Sequence, residues 1–135
     1  MPSLEAAIEA RALAFAGLTN LLGTNPVRFY PSQAEQGINL PYVVYSLVDD
    51  PPVHVMSADQ ESQARVQFDV FASSWVIARQ VRDQLLLCFD RLVGAFGGAT
   101  ISGSVCENRG MMLEPDETSL LRRVTMEFQM TYLST

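Results

Sequence analysis

Length, composition and charge describe one ordinary globular domain and exclude several classes of function. Of the 135 residues, 48% are hydrophobic and 18% charged, and fifteen acids against nine scattered arginines and no lysine give a net charge of −6. Such a chain lacks the clustered cations of a nucleic-acid-binding patch, any apolar run near the roughly 18 residues of a membrane span, and the basic start of a signal peptide. We therefore expect one domain over residues 1–135, made in the cytoplasm of the producing cell.

The first predicted element is a helix over residues 3–22. Its larger apolar residues recur every three or four positions and form one core-facing stripe, consisting of Leu4, Ile8, Phe15, Leu18 and Leu22. Ser3 is expected to cap the start of this helix, and Gly23 to end it.

Two extended segments follow. Residues 27–31 are predicted to form a short extended segment that ends with a proline. Tyr42 to Val48 alternate as a strand whose two faces are both fairly apolar. We expect a helix to cover one face of this strand and a neighbouring subunit to cover the other.

An apolar tip comes next and allows two interpretations. It comprises Pro51, Pro52, Val53, His54, Val55 and Met56. One interpretation is a long hairpin loop packed on its own domain. The other is an arm that reaches a neighbouring subunit, since exposed valine and methionine are otherwise unfavourable.

The stretch from Ala64 to Ala72 is the predicted central strand. Val66, Phe68 and Val70 alternate with Arg65, Gln67 and Asp69, which is the period of a half-buried strand. Ser74 is placed to cap a second amphipathic helix, whose apolar positions are Trp75, Ala78, Val81, Leu85, Phe89 and Leu92.

The last third of the chain is predicted to return to the sheet. Gly94, Gly97 and Gly98 turn the chain without the lysine of a phosphate-binding loop. Residues 100–107 are predicted to form a strand, 108–118 an irregular segment, and 123–132 a strand antiparallel to the central one. The predicted fold is α+β, a mostly antiparallel sheet of about four strands backed by two helices.

The residues offer little catalytic chemistry. The single histidine, His54, has no nucleophile or acid in a catalytic arrangement, and Cys88 and Cys106 have no metal-binding or redox spacing. We expect both cysteines to be small buried side chains. The adjacent acids of Asp49-Asp50 and Asp116-Glu117 are either solvated loop residues or oxygen ligands for a divalent cation. We predict no enzyme activity, no cofactor and no resident metal.

Several phrases, in order along nearly the whole chain, resemble the tail terminator (tail completion) proteins of long non-contractile-tailed bacteriophages and prophages. The phrases are Arg28-Phe29-Tyr30-Pro31 followed by Gly37, Leu40-Pro41-Tyr42-Val43-Val44-Tyr45, Arg65-Val66-Gln67-Phe68-Asp69-Val70-Phe71-Ala72 leading to Ala78 and Val81-Arg82, and Glu114-Pro115. This family has no catalytic motif to transfer.

The resemblance implies a virion structural protein that forms a hexameric ring on the last ring of the tail tube. Such a ring stops tube polymerisation and presents a surface to the head–tail connector protein, at the head-proximal end of the tail. For partner contacts we predict the tip from Pro51 to Met56 and the acidic residues Glu114 and Glu117. The alternatives are another head–tail connector or neck protein, and a small ligand-binding α+β domain.

Charge adds one expectation about the channel of such a ring. Six copies at −6 each give −36, and acids lining the channel would repel the DNA backbone. Genomic DNA would then pass through the lumen without specific binding. Arginines such as Arg65 or Arg123 exposed in the lumen would count against this expectation.

Overall fold

The fold is a six-stranded sheet that carries three helices on one of its faces. The computed structural model describes residues 3–23, 27–31, 40–49, 62–97, 99–113 and 122–134. The helices are α1 (Ser3–Ala14), α2 (Ala16–Leu22) and α3 (Trp75–Phe89). The strands are β1 (Phe29–Pro31), β2 (Tyr42–Asp49), β3 (Ser62–Ala72), β4 (Gly94–Phe96), β5 (Ala99–Leu113) and β6 (Arg122–Ser134). Their order in the sheet is β1-β2-β3-β6-β5-β4, in which β1 and β2 are parallel and all other neighbours antiparallel. The α+β prediction is confirmed.

Strand β3 lies in the middle of the sheet and packs its alternate residues under the helices. Val66, Phe68 and Val70 are completely buried. The Phe68 ring stacks on Phe89 of α3, with ring centroids 4.9 Å apart, and meets Phe128 of β6 edge-on at 5.5 Å. The predicted central strand and its antiparallel pairing with the last strand are both confirmed.

Helix α3 begins where its capping serine predicts. The Ser74 hydroxyl accepts a hydrogen bond from the Ile77 backbone N–H at 3.2 Å, so one of the free donors of the first turn is satisfied. The predicted apolar stripe is buried from Ala78 to Phe89. The helix ends there, and Leu92 is buried beyond its end.

The predicted N-terminal helix is broken at Phe15. This residue is extended, with φ −95° and ψ 107°, and separates α1 from α2. Leu18 and Leu22 of α2 are nevertheless fully buried. The break lets α2 approach α3 so closely that a Cβ added at Gly17 would collide with the Gln84 side chain.

The sheet has more and longer strands than predicted. The short edge strands β1 and β4 raise the number from about four to six. Strand β5 continues to Leu113, through residues predicted to be irregular from Asn108 onward. In this stretch β6 provides a partner for every residue from Asn108 to Leu113, and such pairing overrides weak local strand propensity.

Polar contacts fix α1 to the rest of the fold. The Tyr45 hydroxyl of β2 donates to Glu9 Oε1 at 2.7 Å, and Arg11 Nε donates to the Cys88 carbonyl of α3 at 3.1 Å. Among the described helices, none combines the length and apolar character needed to cross a bilayer.

Candidate assembly surface

The face of the sheet opposite the helices, here called the helix-free face, is the largest functional candidate. Alternate strand residues point to it, because the residues between them pack under the helices. Its described side chains include Tyr30, Tyr42, Val44, Ser46, Gln63, Arg65, Gln67, Asp69, Phe71, Val105, Arg123, Thr125, Glu127 and Gln129. The mixture is polar, charged and aromatic.

A buried carboxylate lies at the centre of this face. Asp69 is only 8% exposed although no described helix covers it. Its Oδ1 accepts hydrogen bonds from Arg123 Nη2 at 3.1 Å and from Thr125 Oγ1 at 2.8 Å, and its Oδ2 accepts one from Gln67 Nε2 at 2.9 Å. The carboxylate is therefore paired and hydrogen-bonded, as a buried charge must be.

Aromatic rings lie beside this carboxylate. Tyr42 stacks on Phe71 with centroids 4.9 Å apart, and Tyr30 meets Tyr42 edge-on at 6.4 Å. The Arg123 guanidinium lies 5.6 Å from the centre of the Phe71 ring. This guanidinium thus combines an ion pair with a cation–π contact, which fixes its position on the sheet.

The second arginine of this face is also matched by acids. Arg65 Nε lies 3.7 Å from Glu107 Oε1 and 3.8 Å from Glu127 Oε2. The described side chains of the face therefore carry two arginines, Arg65 and Arg123, against three carboxylates with Asp69. Neither arginine presents an uncompensated positive charge to a phosphate backbone.

An open hollow lies on the other side of the molecule, at the C-terminal end of α3. Its volume is about 590 Å³, and it is lined by Asp83, Leu86, Leu87, Asp90 and Cys106. Leu87 is 67% exposed. The hollow is lined by apolar side chains and two acids. These lining residues include no base or nucleophile arranged for catalysis.

Among the described residues, two groups have a strongly raised pKa, and burial in the core is the main cause in both. Burial raises the pKa of the Cys88 thiol from its ordinary 9.0 to about 12, despite the opposing charge of Arg11. Burial, with the nearby Glu9 carboxylate, also raises the pKa of the Tyr45 phenol. A thiol with such a high pKa is an inert packing group, as predicted for Cys88. Cys106 is instead half-buried beside the hollow.

The contact residues predicted from the sequence lie outside the described residues. This holds for Pro51, Pro52, Val53, His54, Val55, Met56, Glu114 and Glu117. It also holds for Asp50, Asp116 and Glu117 of the candidate cation ligands, and these predictions stay predictions. Within the described ranges, no group of three or more potential metal ligands occurs.

The sequence pattern places Arg65, Gln67 and Asp69 on one face of the central strand, but it does not identify this face as a functional site. The missing information was the register between this strand and its predicted partner strand. Once β3 and β6 are aligned antiparallel, Asp69 lies directly opposite Thr125 and diagonally to Arg123. The alternation places all three residues on one face, and the register of the two strands brings them into contact.

A one-sheet α+β fold with all helices on a single face has a counterpart among solved structures. A chain of a structure titled "Virion of native gene transfer agent (GTA) particle" matches with a TM-score of 0.71 and 16% sequence identity. The match covers 98% of this chain and 95% of that one. No protein-family model matches the chain, and a search of curated proteins gives no significant match. The likeness shows a shared fold over nearly the full length of both chains.

Proposed function

We propose that this chain is a virion structural protein of a tailed phage or prophage, and that it caps the tail tube as a hexameric ring. One observation carries the proposal: the chain shares its fold, almost end to end, with a component of a virion. In this proposal residues 1–135 act as one assembly domain. The ring ends tube polymerisation and offers its other side to the head–tail connector.

The described surface supports an assembly role over an enzymatic one. Its most elaborate feature is the Asp69 network, in which both carboxylate oxygens already accept hydrogen bonds from neighbouring side chains. A catalytic carboxylate would keep an acceptor directed at a substrate. The face around Asp69 is pre-organised and nearly charge-balanced, which suits contact with a protein.

Arginines that line the lumen would count against free passage of DNA, and Arg65 and Arg123 are the two described arginines of the helix-free face. If the helix-free face lines the channel, Arg65 and Arg123 face the DNA together with the carboxylates that neutralise them. The described side chains of the face then contribute one net negative charge per copy. Such a lining would repel the DNA backbone less than an all-acid lining, so this placement of the helix-free face would count against passage without binding.

The decisive experiment is deletion of the gene in the phage or prophage that carries it, with tail lengths measured by electron microscopy. Headless tails of abnormal, extended length are expected, because nothing stops tube growth. Normal-length tails beside detached heads would assign the chain to the connector instead. Unaltered particles would overturn the virion role, and a search for ligands that raise the melting temperature would then test the ligand-binding alternative.

A further inference from the structure

Among the described residues, each edge of the sheet has a stretch of backbone without a partner strand. At one edge, β1 pairs with β2 on its inner side only. At the other edge, β4 covers β5 only from Ala99 to Ile101. Exposed strand edges are templates for pairing with another chain.

The end of α3 covers the next part of the β5 edge. The Arg91 backbone N–H donates to the Ser104 carbonyl, and Asp90 Oδ1 accepts from the Cys106 N–H at 3.1 Å. Beyond these contacts, residues 107–113 of β5 have β6 on one side and no strand among the described residues on the other. Within the described part of the chain, residues 107–113 are therefore the stretch of β5 whose outer edge has no partner strand.

The outer edge of β1 and the unpaired stretch of β5 lie at the same position along the strand direction. The registers of four successive strand pairs define one row across the sheet, which runs through Tyr30, Val44, Asp69, Thr125 and Gly110. The middle of β1 is thus level with Gly110, in the unpaired stretch of β5. A second copy rotated about an axis along the strands, without any shift along that axis, brings its β1 level with this stretch.

The strand directions also match. Strands β1 and β2 run parallel, and the three pairs that lead on to β5 are antiparallel. Strand β5 therefore runs opposite to β1, and the two edges can form an antiparallel ladder. A head-to-tail contact without a shift along the axis closes into a ring rather than growing into a filament.

The outer edge of β1 can accept hydrogen bonds but has no donor to offer. The Arg28 carbonyl accepts from the Val43 N–H at 3.0 Å, so the alternation of a strand directs the polar groups of Phe29 and Pro31 outward. The Phe29 N–H donates to the Val27 carbonyl at 2.9 Å, and proline has no N–H. Two such acceptor-only edges cannot pair with each other. A strand that pairs with the outer edge of β1 must therefore supply the N–H donors.

We infer that β1 of one copy pairs antiparallel with residues 107–113 of β5 in the next copy, and that this contact joins the sheets around the ring. The occupant of each edge is thus a second copy of this chain. The inference rests on the ring of the proposed function and names the strand edges that meet in it.

A disulfide between copies tests this pairing. The variant combines Tyr30→Cys with Gly110→Cys in a background of Cys88→Ala and Cys106→Ala. Within one chain these two positions are four strand spacings apart, on the order of 19 Å, which is far beyond the roughly 7 Å that a disulfide spans. Any Tyr30→Cys to Gly110→Cys bond therefore joins two copies.

The matched control shifts one cysteine by a single position, to Met111→Cys with Tyr30→Cys. Successive strand residues point to opposite faces, so this pair cannot be bridged in the proposed register. Tails are purified from cells that carry each variant, oxidised mildly and analysed on non-reducing gels. We expect a ladder of disulfide-linked multimers from the first variant, ending at the size of the closed ring, and single chains from the control.

The outcomes separate this inference from the proposed function. Tails that contain the first variant as uncrosslinked chains would overturn the strand pairing and leave the tail role intact. Equal crosslinking of both variants would overturn the proposed register. If the chain without these substitutions is itself missing from purified tails, both the tail role and the pairing are overturned.

Discussion

The two faces of the sheet bury their central side chains through different interactions. On the helix-packed face, Val66, Phe68 and Val70 are sealed by other apolar groups. On the helix-free face, Asp69 is almost as closed to solvent, but its neighbours are an arginine, a threonine and a glutamine. Apolar packing tolerates small changes of position, whereas hydrogen bonds depend on direction. The first face therefore provides most of the stability, and the second provides a surface of fixed shape.

The largest expected effect is on the helix-packed face. Phe68→Ala removes a ring that contacts Phe89 and Phe128 and is fully buried. The free energy of unfolding should fall by about 3–5 kcal/mol, because lost burial and a cavity add. Denaturant unfolding followed by circular dichroism measures this change. A loss below about 1 kcal/mol would mean that this cluster is not the core.

On the helix-free face, Asp69→Ala should cost about 2 kcal/mol, less than Phe68→Ala. It removes the carboxylate that pairs with Arg123 and accepts hydrogen bonds from Thr125 and Gln67, and losing charged hydrogen bonds at a buried site is costly. The matched control is Asp69→Asn, which keeps an acceptor for Thr125 and should lose less. If both variants unfold at the same denaturant concentration as the original chain, the network contributes nothing to stability.

The free energy of unfolding should also depend on alkaline pH, because Cys88 of α3 and Tyr45 of β2 are buried in the core and both have a raised pKa. The pKa of Cys88 rises from 9.0 to about 12 on folding, and that of Tyr45 also rises. Groups whose pKa is raised by folding support stability fully below their ordinary pKa, and this support is lost as pH rises through the folded value. The free energy of unfolding should therefore be steady near pH 8 and decline above pH 9.

Unfolding curves at a series of alkaline pH values measure this decline. In Cys88→Ala the decline should be shallower, because one of the two shifted groups is gone. The slope against pH is compared, since the substitution also changes packing. A stability that rises above pH 9 would contradict the assignment of both groups.

The smallest effect is expected for Arg65→Gln on the helix-free face. The Arg65 side chain is 46% exposed and its carboxylate contacts are 3.7 and 3.8 Å long. Exposed pairs of this kind contribute at most about 0.5 kcal/mol, and salt should weaken this contribution. Melting at low and high salt measures it. A loss as large as that of Asp69→Ala would show that the two arginines of this face are equivalent.

The strand periodicities made the centre of the fold predictable. The alternation in β3 and β6 identified the strands and their buried faces, because a slip by one residue would turn every apolar side chain to the other face. Their matching lengths suited antiparallel pairing. The start of α3 followed from Ser74, whose hydroxyl satisfies a local donor. These features depend on neighbours in sequence or on a strong pattern.

The features that escaped prediction depend on distant partners. The break at Phe15 lets α2 pack against α3 at Gly17, and the stripe of apolar residues continues across the break. The extension of β5 to Leu113 depends on β6, and the site depends on the Asp69–Arg123 contact between strands 54 residues apart. Local pattern does not contain such contacts until the strand registers are known.

The sheet order also sets a sequence of events during synthesis. Strand β3 needs β6 as its neighbour, and Ala64 pairs with Met130. The buried face of β3 therefore stays without half of its packing while the intervening residues are made, and non-local pairing of this kind is slow. Until β6 has been made, the apolar face of β3 lacks its partner strand, so an incomplete chain is prone to aggregation.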